Sequence, residues 1–130
     1  MDPHTLWVGA DQQYHTIADA VAASQAGDTI MVEAGTYENQ TAIITHDLTI
    51  EGVGGFAHFD WNDGLIPNGK AIFVVDANVT FENIELSGAA VDDGNGAGIR
   101  DEVGNLTVIN SYIHDNQDGI LSGTIPAARS

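Results

Sequence analysis

The chain has 130 residues, of which 43% are hydrophobic, and it carries a formal net charge of −16 without a single cysteine. This composition predicts one domain with its own apolar core, and it excludes a disordered acidic tail, a disulfide framework and thiolate chemistry. The 19 acidic residues against three basic ones make nucleic acid an unsuitable partner. The sequence has no apolar run long enough to span a membrane. The acidic surface either binds divalent cations or simply keeps the protein soluble.

The N-terminal part of the chain predicts a short strand followed by a helix. Leu6–Val8 is a strand candidate, and residues from about 15 to 26 carry Ile17, Ala20 and Val21 at helical spacing. Thr16 or Asp19 is expected to assist the start of the helix, and Gly27 is expected to end it as a C-cap. This helix would cover the first turn of whatever sheet follows.

Two stretches in the C-terminal half are near copies of each other. Val79–Ser87 aligns with Leu106–His114 at an offset of 27, so that apolar residues meet apolar ones and Asn83 meets Asn110. Each stretch shows the apolar alternation of β-strands, and a repeat of this length indicates stacked strands. The predicted strands are Asp28–Glu33, Ala42–Ile44, Leu48–Glu51, Ala71–Val75, Val79–Glu82, Ile84–Ser87, Gly98–Asp101, Leu106–Ile109, Tyr112–His114 and Gly119–Ser122, with turns at Ala34–Tyr37 and Gly52–Gly55.

The run TIADAVAASQAGDTIMVEAGTYENQTAIITHDLTIEGVGG, residues 16–55, resembles the opening of bacterial right-handed parallel β-helix proteins of the pectin-lyase-like superfamily. The resemblance implies an all-β fold of about four three-strand coils, a single domain over residues 1–122 with an N-terminal capping α-helix, and a disordered tail at 123–130. It also implies an extracellular or cell-surface, bacterial-type location. Asn83 and Asn110 would form the asparagine ladder of that family, or else serve only as left-handed turn residues.

Alternation within the predicted strands assigns their faces. Thr49, Thr80 and Thr107 are expected to point outward as a threonine column. Outward positions on the first strand of successive coils would be Phe73, Arg100 and Leu121. Twelve apolar residues are expected to point inward: Leu48, Ile50, Ile72, Val74, Val79, Phe81, Leu86, Ile99, Leu106, Val108, Ile113 and Ile120.

The groove beside these outward positions is one candidate ligand site. Phe73 and Arg100 would contact a polysaccharide there, with the aromatic face stacking on a sugar and the guanidinium pairing with a carboxylate. Trp61, in the loop from His58 to Asp63, would add a second aromatic platform for the carbohydrate. Arg100 and Asp101 are the candidate catalytic residues for a uronate-acting enzyme. The alternative is an exposed arginine that only pairs with Asp101 or Glu102. The aromatic residues near Trp61 can equally fold inward and shield the core.

Two further groups contain metal-ligand types. Asp92, Asp93 and Asn95 lie among glycines like half of a calcium loop, so they either bind Ca²⁺ or form an ordinary turn. His58 with Asp60 and Asp63 is a weaker set, because three ligands in one loop rarely define a site.

These observations favour a structural or binding module over an enzyme. The chain is interpreted as the N-terminal part of a longer extracellular protein, prone to end-to-end homo-oligomer formation through an uncapped C-terminal end, with polysaccharide as a further partner. The tail folding back over that end is the other interpretation. The alternative function is that of a polysaccharide lyase, epimerase or hydrolase acting on uronate-containing glycan.

Overall fold

The computed structural model describes residues 4–122, which form eleven β-strands and one short α-helix. The helix, α1, covers Ile17–Ala23. The strands are β1 (Thr5–Val8), β2 (Asp28–Glu38), β3 (Ala42–Ile44), β4 (Leu48–Asp60), β5 (Ala71–Asp76), β6 (Val79–Glu82), β7 (Ile84–Ser87), β8 (Ala97–Val103), β9 (Leu106–Ile109), β10 (Tyr112–His114) and β11 (Asp118–Ser122).

All these strands pair in parallel and belong to two sheets. The seven-stranded sheet runs β1-β2-β4-β6-β9, and β7 and β10 continue it beside the second half of β4. The four-stranded sheet has the order β11-β8-β5-β3. The offset of 27 residues between the repeats matches the observed strand pairing. Val79 lies opposite Leu106, and Glu85 lies opposite Tyr112.

The predicted right-handed parallel β-helix of three-strand coils is wrong. The expected turn at Ala34–Tyr37 and the expected bend at Gly52–Gly55 both lie within long strands, β2 and β4. Because β4 pairs first with β6 and then with β7, strands expected in two different layers belong to one sheet. The two sheets are neither closed nor solenoid-like, and one short helix packs against them. This is an α/β-like arrangement rather than a β-helix.

The core lies between the two sheets and is apolar. Phe59, Phe73 and Phe81 are fully buried there, and the ring centroid of Phe73 lies 5.2 Å from that of Phe59 and 5.1 Å from that of Phe81. Such aromatic pairs add to the free energy released by burying their area. The predicted inward residues of β4 and β6 are confirmed, since Leu48, Ile50, Val79 and Phe81 are all buried.

The predicted faces of β5 and β11 need correction. Phe73 was expected to point outward and is buried, while Ile120 was expected to point inward and is 37% exposed. Leu121, also expected outside, packs with Val74 in a second small apolar cluster on the far side of the four-stranded sheet. Both faces of this sheet are apolar there, so the alternation of residue types did not distinguish inside from outside.

The helix begins where the sequence predicts and ends earlier. Thr16 is the N-cap, and its side-chain oxygen accepts a hydrogen bond from the backbone N–H of Asp19. The C-cap is Ser24 rather than Gly27, because the backbone N–H and the hydroxyl of Ser24 both donate to the carbonyl of Val21. The helix packs against β1 and β3, where Ile17 and Ala20 are buried.

Polar residues follow the strands in register. The threonine column is confirmed, since Thr49 lies opposite Thr80 and Thr80 opposite Thr107. Asn83 and Asn110 both have a left-handed backbone, as the turn interpretation requires. The Asn83 side chain also donates to the carbonyl of Gly52, and the asparagine ladder stays a prediction.

Candidate metal centre

Three metal-ligand side chains come together on the outward face of the seven-stranded sheet. They are His58 on β4, Glu85 on β7 and His114 on β10, which are neighbouring strands. One ligand atom from each side chain lies within 4.8 Å of the other two. In the described part of the chain, this is the one group of three or more histidine and carboxylate side chains with such spacing.

Strand alternation places these side chains outside. Phe59, between His58 and Asp60, is fully buried, and so is Leu86, between Glu85 and Ser87. Successive side chains of a strand point to opposite faces, so the neighbours of these apolar residues lie on the opposite, outward face of the sheet. His58 lies directly opposite Glu85, and His114 lies opposite Ser87, which sets His114 diagonally across from Glu85.

The distances within the group are short. His114 Nε2 lies 2.6 Å from Glu85 Oε2, and His58 Nε2 lies 3.7 Å from the same oxygen. The two imidazole rings are 6.0 Å apart between centroids and are tilted by 34°. All three side chains are about four-fifths buried, with exposed fractions of 24%, 19% and 22% for His58, Glu85 and His114.

A second set of polar groups orients the two histidines. Nδ1 of His114 lies 2.8 Å from the carboxylate of Asp115, which leaves Nε2 directed toward Glu85. Nε2 of His58 lies 2.7 Å from the hydroxyl of Ser87, which in turn donates to Asp60 at 2.9 Å. A carboxylate on the far nitrogen of a histidine is the usual support for a metal ligand, because it fixes the tautomer and raises the basicity of the ring. This support applies to His114, whereas the Ser87 contact of His58 is on Nε2 itself, so a bound ion would replace that hydrogen bond.

The electrostatics of His114 follow from these contacts. The hydrogen bond to Asp115, and then that to Glu85, raise the pKa of His114 above its ordinary value. A positive charge at this position is therefore stabilised, whether it comes from a proton on the ring or from a cation that replaces the proton.

The geometry suits a small divalent ion. Zinc binds imidazole nitrogen and carboxylate oxygen at about 2.0–2.2 Å, which separates ligand atoms by roughly 3.3 Å in a tetrahedron. The observed separations of 2.6 and 3.7 Å from the Glu85 oxygen bracket this value, and all three ligand atoms lie within 4.8 Å of one another. Two imidazoles favour zinc, copper, nickel or iron, whereas Ca²⁺ prefers six to eight oxygen ligands.

The predicted ligand-binding aromatic residues are not at this surface. Phe73 is fully buried and Trp61 is 7% exposed, with its indole N–H donating to the carbonyl of Gly64. They belong to the core, as the shielding alternative predicts for Trp61, because burying a large aromatic surface stabilises the fold more than leaving it in water. Neither residue offers a face on which a sugar can stack.

The predicted catalytic pair lies on β8, in the other sheet. Nε of Arg100 is 3.6 Å from the carboxylate of Glu102, which also receives a hydrogen bond from Lys70. An ion pair with Glu102 was part of the alternative expectation, but the Arg100 side chain is only 14% exposed rather than an exposed arginine. Burial raises the pKa of Asp101, and its Oδ1 atom is buried without a hydrogen-bond partner among the described residues.

The predicted calcium residues lie on an exposed loop. Asp92 and Asp93 are exposed, and a carboxylate oxygen of Asp93 accepts a hydrogen bond from the backbone N–H of Asn95. This contact is the short-range bond of an ordinary Asx turn. Calcium binding there stays a prediction.

His58 was expected in a loop with Asp60 and Asp63, whereas it lies on β4 and faces Glu85 on β7. The repeat alignment already pairs Ser87 with His114, so the sequence alone could have predicted that Glu85 and His114 lie close together. It could not have predicted the position of His58, because the pairing of His58 depends on β4 continuing through the glycines at positions 52, 54 and 55.

Comparison of the chain with family models, with curated proteins and with solved structures gives no match. The resemblance to the pectin-lyase-like superfamily therefore gains no support from these comparisons. The extracellular location stays a prediction. Within residues 4–122, no helix is long and apolar enough to cross a membrane.

Proposed function

We propose that this protein is a metal-binding module that holds one divalent transition-metal ion, with zinc as the reference ion, through His58, Glu85 and His114. The observation that carries the proposal is the convergence of three ligand atoms from three adjacent strands on one sheet face. Strands are rigid supports, so the ligands lose little conformational entropy when the ion binds.

The surroundings support a cation over a plain surface ion pair. Asp60 and Asp115 contact the ligand shell through Ser87 and His114, and the chain has a formal net charge of −16. Such a field attracts cations and disfavours an anionic ligand. The alternative, in which a protonated His114 simply bridges Glu85 and Asp115, gives the same contacts without binding any metal.

Isothermal titration calorimetry with Zn²⁺ separates these alternatives. We expect the metal-free chain, with any oligohistidine tag removed, to bind one equivalent, and we expect His58→Ala, Glu85→Gln and His114→Ala each to lose most of the heat. His15→Ala is the matched control, because His15 is an exposed histidine near the start of α1. Ligand-site variants that fold, by circular dichroism, and bind Zn²⁺ like the wild type would refute the proposal.

A second candidate function is self-association through the strands that end the two sheets. Among the described residues, β9, β10 and β11 each pair with a single strand. Leu106, Val108 and Ile113 on this edge are only half-buried, and Ile109 is 41% exposed. Unpaired strand edges with apolar side chains are sites where another chain can add. A second copy of the chain is the proposed partner.

Sedimentation velocity over a concentration series tests this candidate. We expect the wild type to form larger species as its concentration rises and Ile109→Lys on β9 to reduce them. Leu65→Lys is the matched control, since Leu65 is 54% exposed and lies between β4 and β5, outside the strands. A wild-type chain that stays monomeric at every concentration would exclude self-association.

A further inference from the structure

We propose, on the basis of the metal site above, that the bound ion activates water for the hydrolysis of uncharged esters, with Tyr112 holding the apolar part of the substrate. The proposal therefore rests on the proposed metal binding, and it adds a reaction and a substrate class to it.

The first argument is the number of protein ligands. Three side chains can reach the ion, and a zinc ion with three protein ligands keeps a fourth position for water or substrate. The ligands lie on the outward face of the sheet with about a fifth of each side chain exposed, so this position is reached from solvent. A site with four protein ligands would instead be closed and structural.

The second argument is the aromatic ring beside the site. Tyr112 lies directly opposite Glu85 on the neighbouring strand, and its ring stacks on that of His114 at 4.0 Å with an interplanar angle of 21°. The Tyr112 residue is 53% exposed. This exposed ring borders the ligand atoms, because it stacks on the imidazole of His114. It provides an apolar wall for an acyl chain or an aromatic leaving group.

The third argument is charge. Asp60 and Asp115 add negative charge beside Glu85, so the site repels phosphate esters and substrates that carry a carboxylate. Uncharged esters escape this repulsion. The substrate class is therefore set by exclusion of anions and by the apolar wall at Tyr112.

The reaction is simple and balanced. An ion held by His58, Glu85 and His114 would lower the pKa of a bound water, so that a hydroxide would form at neutral pH with its proton released to solvent. The hydroxide oxygen forms a bond to the ester carbonyl carbon, and the bond between that carbon and the alcohol oxygen then breaks. The alcohol takes up a proton from solvent, so one ester and one water give one acid and one alcohol, with no oxidant or reductant.

The test uses the full chain with one equivalent of Zn²⁺ and the neutral ester 4-nitrophenyl butyrate. We expect hydrolysis faster than that by the same concentration of Zn²⁺ in buffer, and a fall to the buffer rate in His58→Ala but not in His15→Ala. We expect Tyr112→Ala to raise KM about two- to tenfold with little change in kcat, because stacking contacts contribute about 0.5–1.5 kcal/mol. Tyr112→Phe should keep the wild-type KM.

The anionic analogue 4-nitrophenyl hydrogen succinate provides the charge control. We expect a lower kcat/KM for it than for the butyrate ester, and added salt should narrow the difference. Zinc binding without any hydrolysis above buffer would overturn this inference and leave the metal-binding proposal intact. Absence of zinc binding would overturn both. Equal rates for the two esters would overturn the substrate class.

Discussion

At the scale of single residues, His114 depends on Asp115 for its orientation. Asp115 is an exposed carboxylate with a left-handed backbone, and its contact to Nδ1 leaves Nε2 facing Glu85. We expect Asp115→Asn to weaken Zn²⁺ binding about tenfold, because second-sphere carboxylates contribute about ten- to a hundredfold to metal affinity. Calorimetric titration measures the change. Asp92→Asn, on the exposed loop, is the control, and equal affinities for the two variants would contradict the role of Asp115.

The charge of Asp101 is one source of pH-dependent stability in this protein. Burial raises the pKa of this carboxyl above its ordinary value of 3.8. A raised folded-state pKa means that the folded chain holds the proton more tightly, so this contribution to stability is present below pH 3.8 and is lost as the pH rises through the folded-state pKa.

Asp101→Asn should therefore be more stable than the wild type at pH 7, and the difference should shrink below about pH 4. The physical reason is that the amide carries no charge to desolvate at either pH. Urea unfolding at pH 3.5 and pH 7 measures both differences in the free energy of unfolding. A difference that is the same at both values would show that the carboxyl charge is not the cause.

At the scale of elements, the end of β7 is held by a close backbone approach at Gly88. Its φ is +84°, and a Cβ atom there would lie 2.0 Å from the carbonyl oxygen of Trp61. Gly94 has nearly the same φ, +83°, but a Cβ atom at that position would have no heavy atom within 4 Å. Substitutions at the two glycines therefore distinguish the cost of a left-handed backbone from the cost of steric overlap.

We expect Gly94→Ala to lower the free energy of unfolding by about 1 kcal/mol, the cost of a left-handed alanine. Gly88→Ala should lower it by about 3 kcal/mol, since the strands must also separate. Urea denaturation of both variants measures the two values. Equal losses would mean that the strand ends near Trp61 move apart without resistance.

The strands themselves were predictable to different degrees. β6 and β9 were expected with their observed bounds and register, because apolar alternation is local and both strands are short. β2 and β4 were expected to stop at glycine-containing turns, yet both continue, and their register shifts between Glu33 and Gly35. Glycine in a strand marks an irregularity as readily as an end, and only the partner strand decides which.

At the scale of the whole molecule, the metal site joins three strands of the larger sheet, including β10, a strand of three residues at its edge. An ion that binds the folded chain alone stabilises it. Zn²⁺ at about a hundred times its Kd should raise the free energy of unfolding by about 2.7 kcal/mol. For a chain of this length that corresponds to a rise in Tm of about 10 °C.

Differential scanning calorimetry with and without Zn²⁺ measures this rise, and a chelator should reverse it. His58→Ala is the control and should show no rise, because it lacks one ligand. A similar rise in this variant would place the bound zinc elsewhere on the acidic surface.

The sequence by itself determined the positions of most strands, the offset of 27 residues between the repeats and the inward residues of β4 and β6. These features follow from apolar alternation and turn residues, which act over a few neighbouring positions. Only the tertiary structure decided that the strands form two sheets rather than three-strand coils, that Phe73 lies inside, and that His58 meets Glu85 and His114. Each of these depends on the second half of β4 pairing with β7, or on what covers each face of a sheet. The pairing of β4 with β7 and the covering of each sheet face depend on contacts between residues far apart in the chain. No local sequence pattern specifies such contacts.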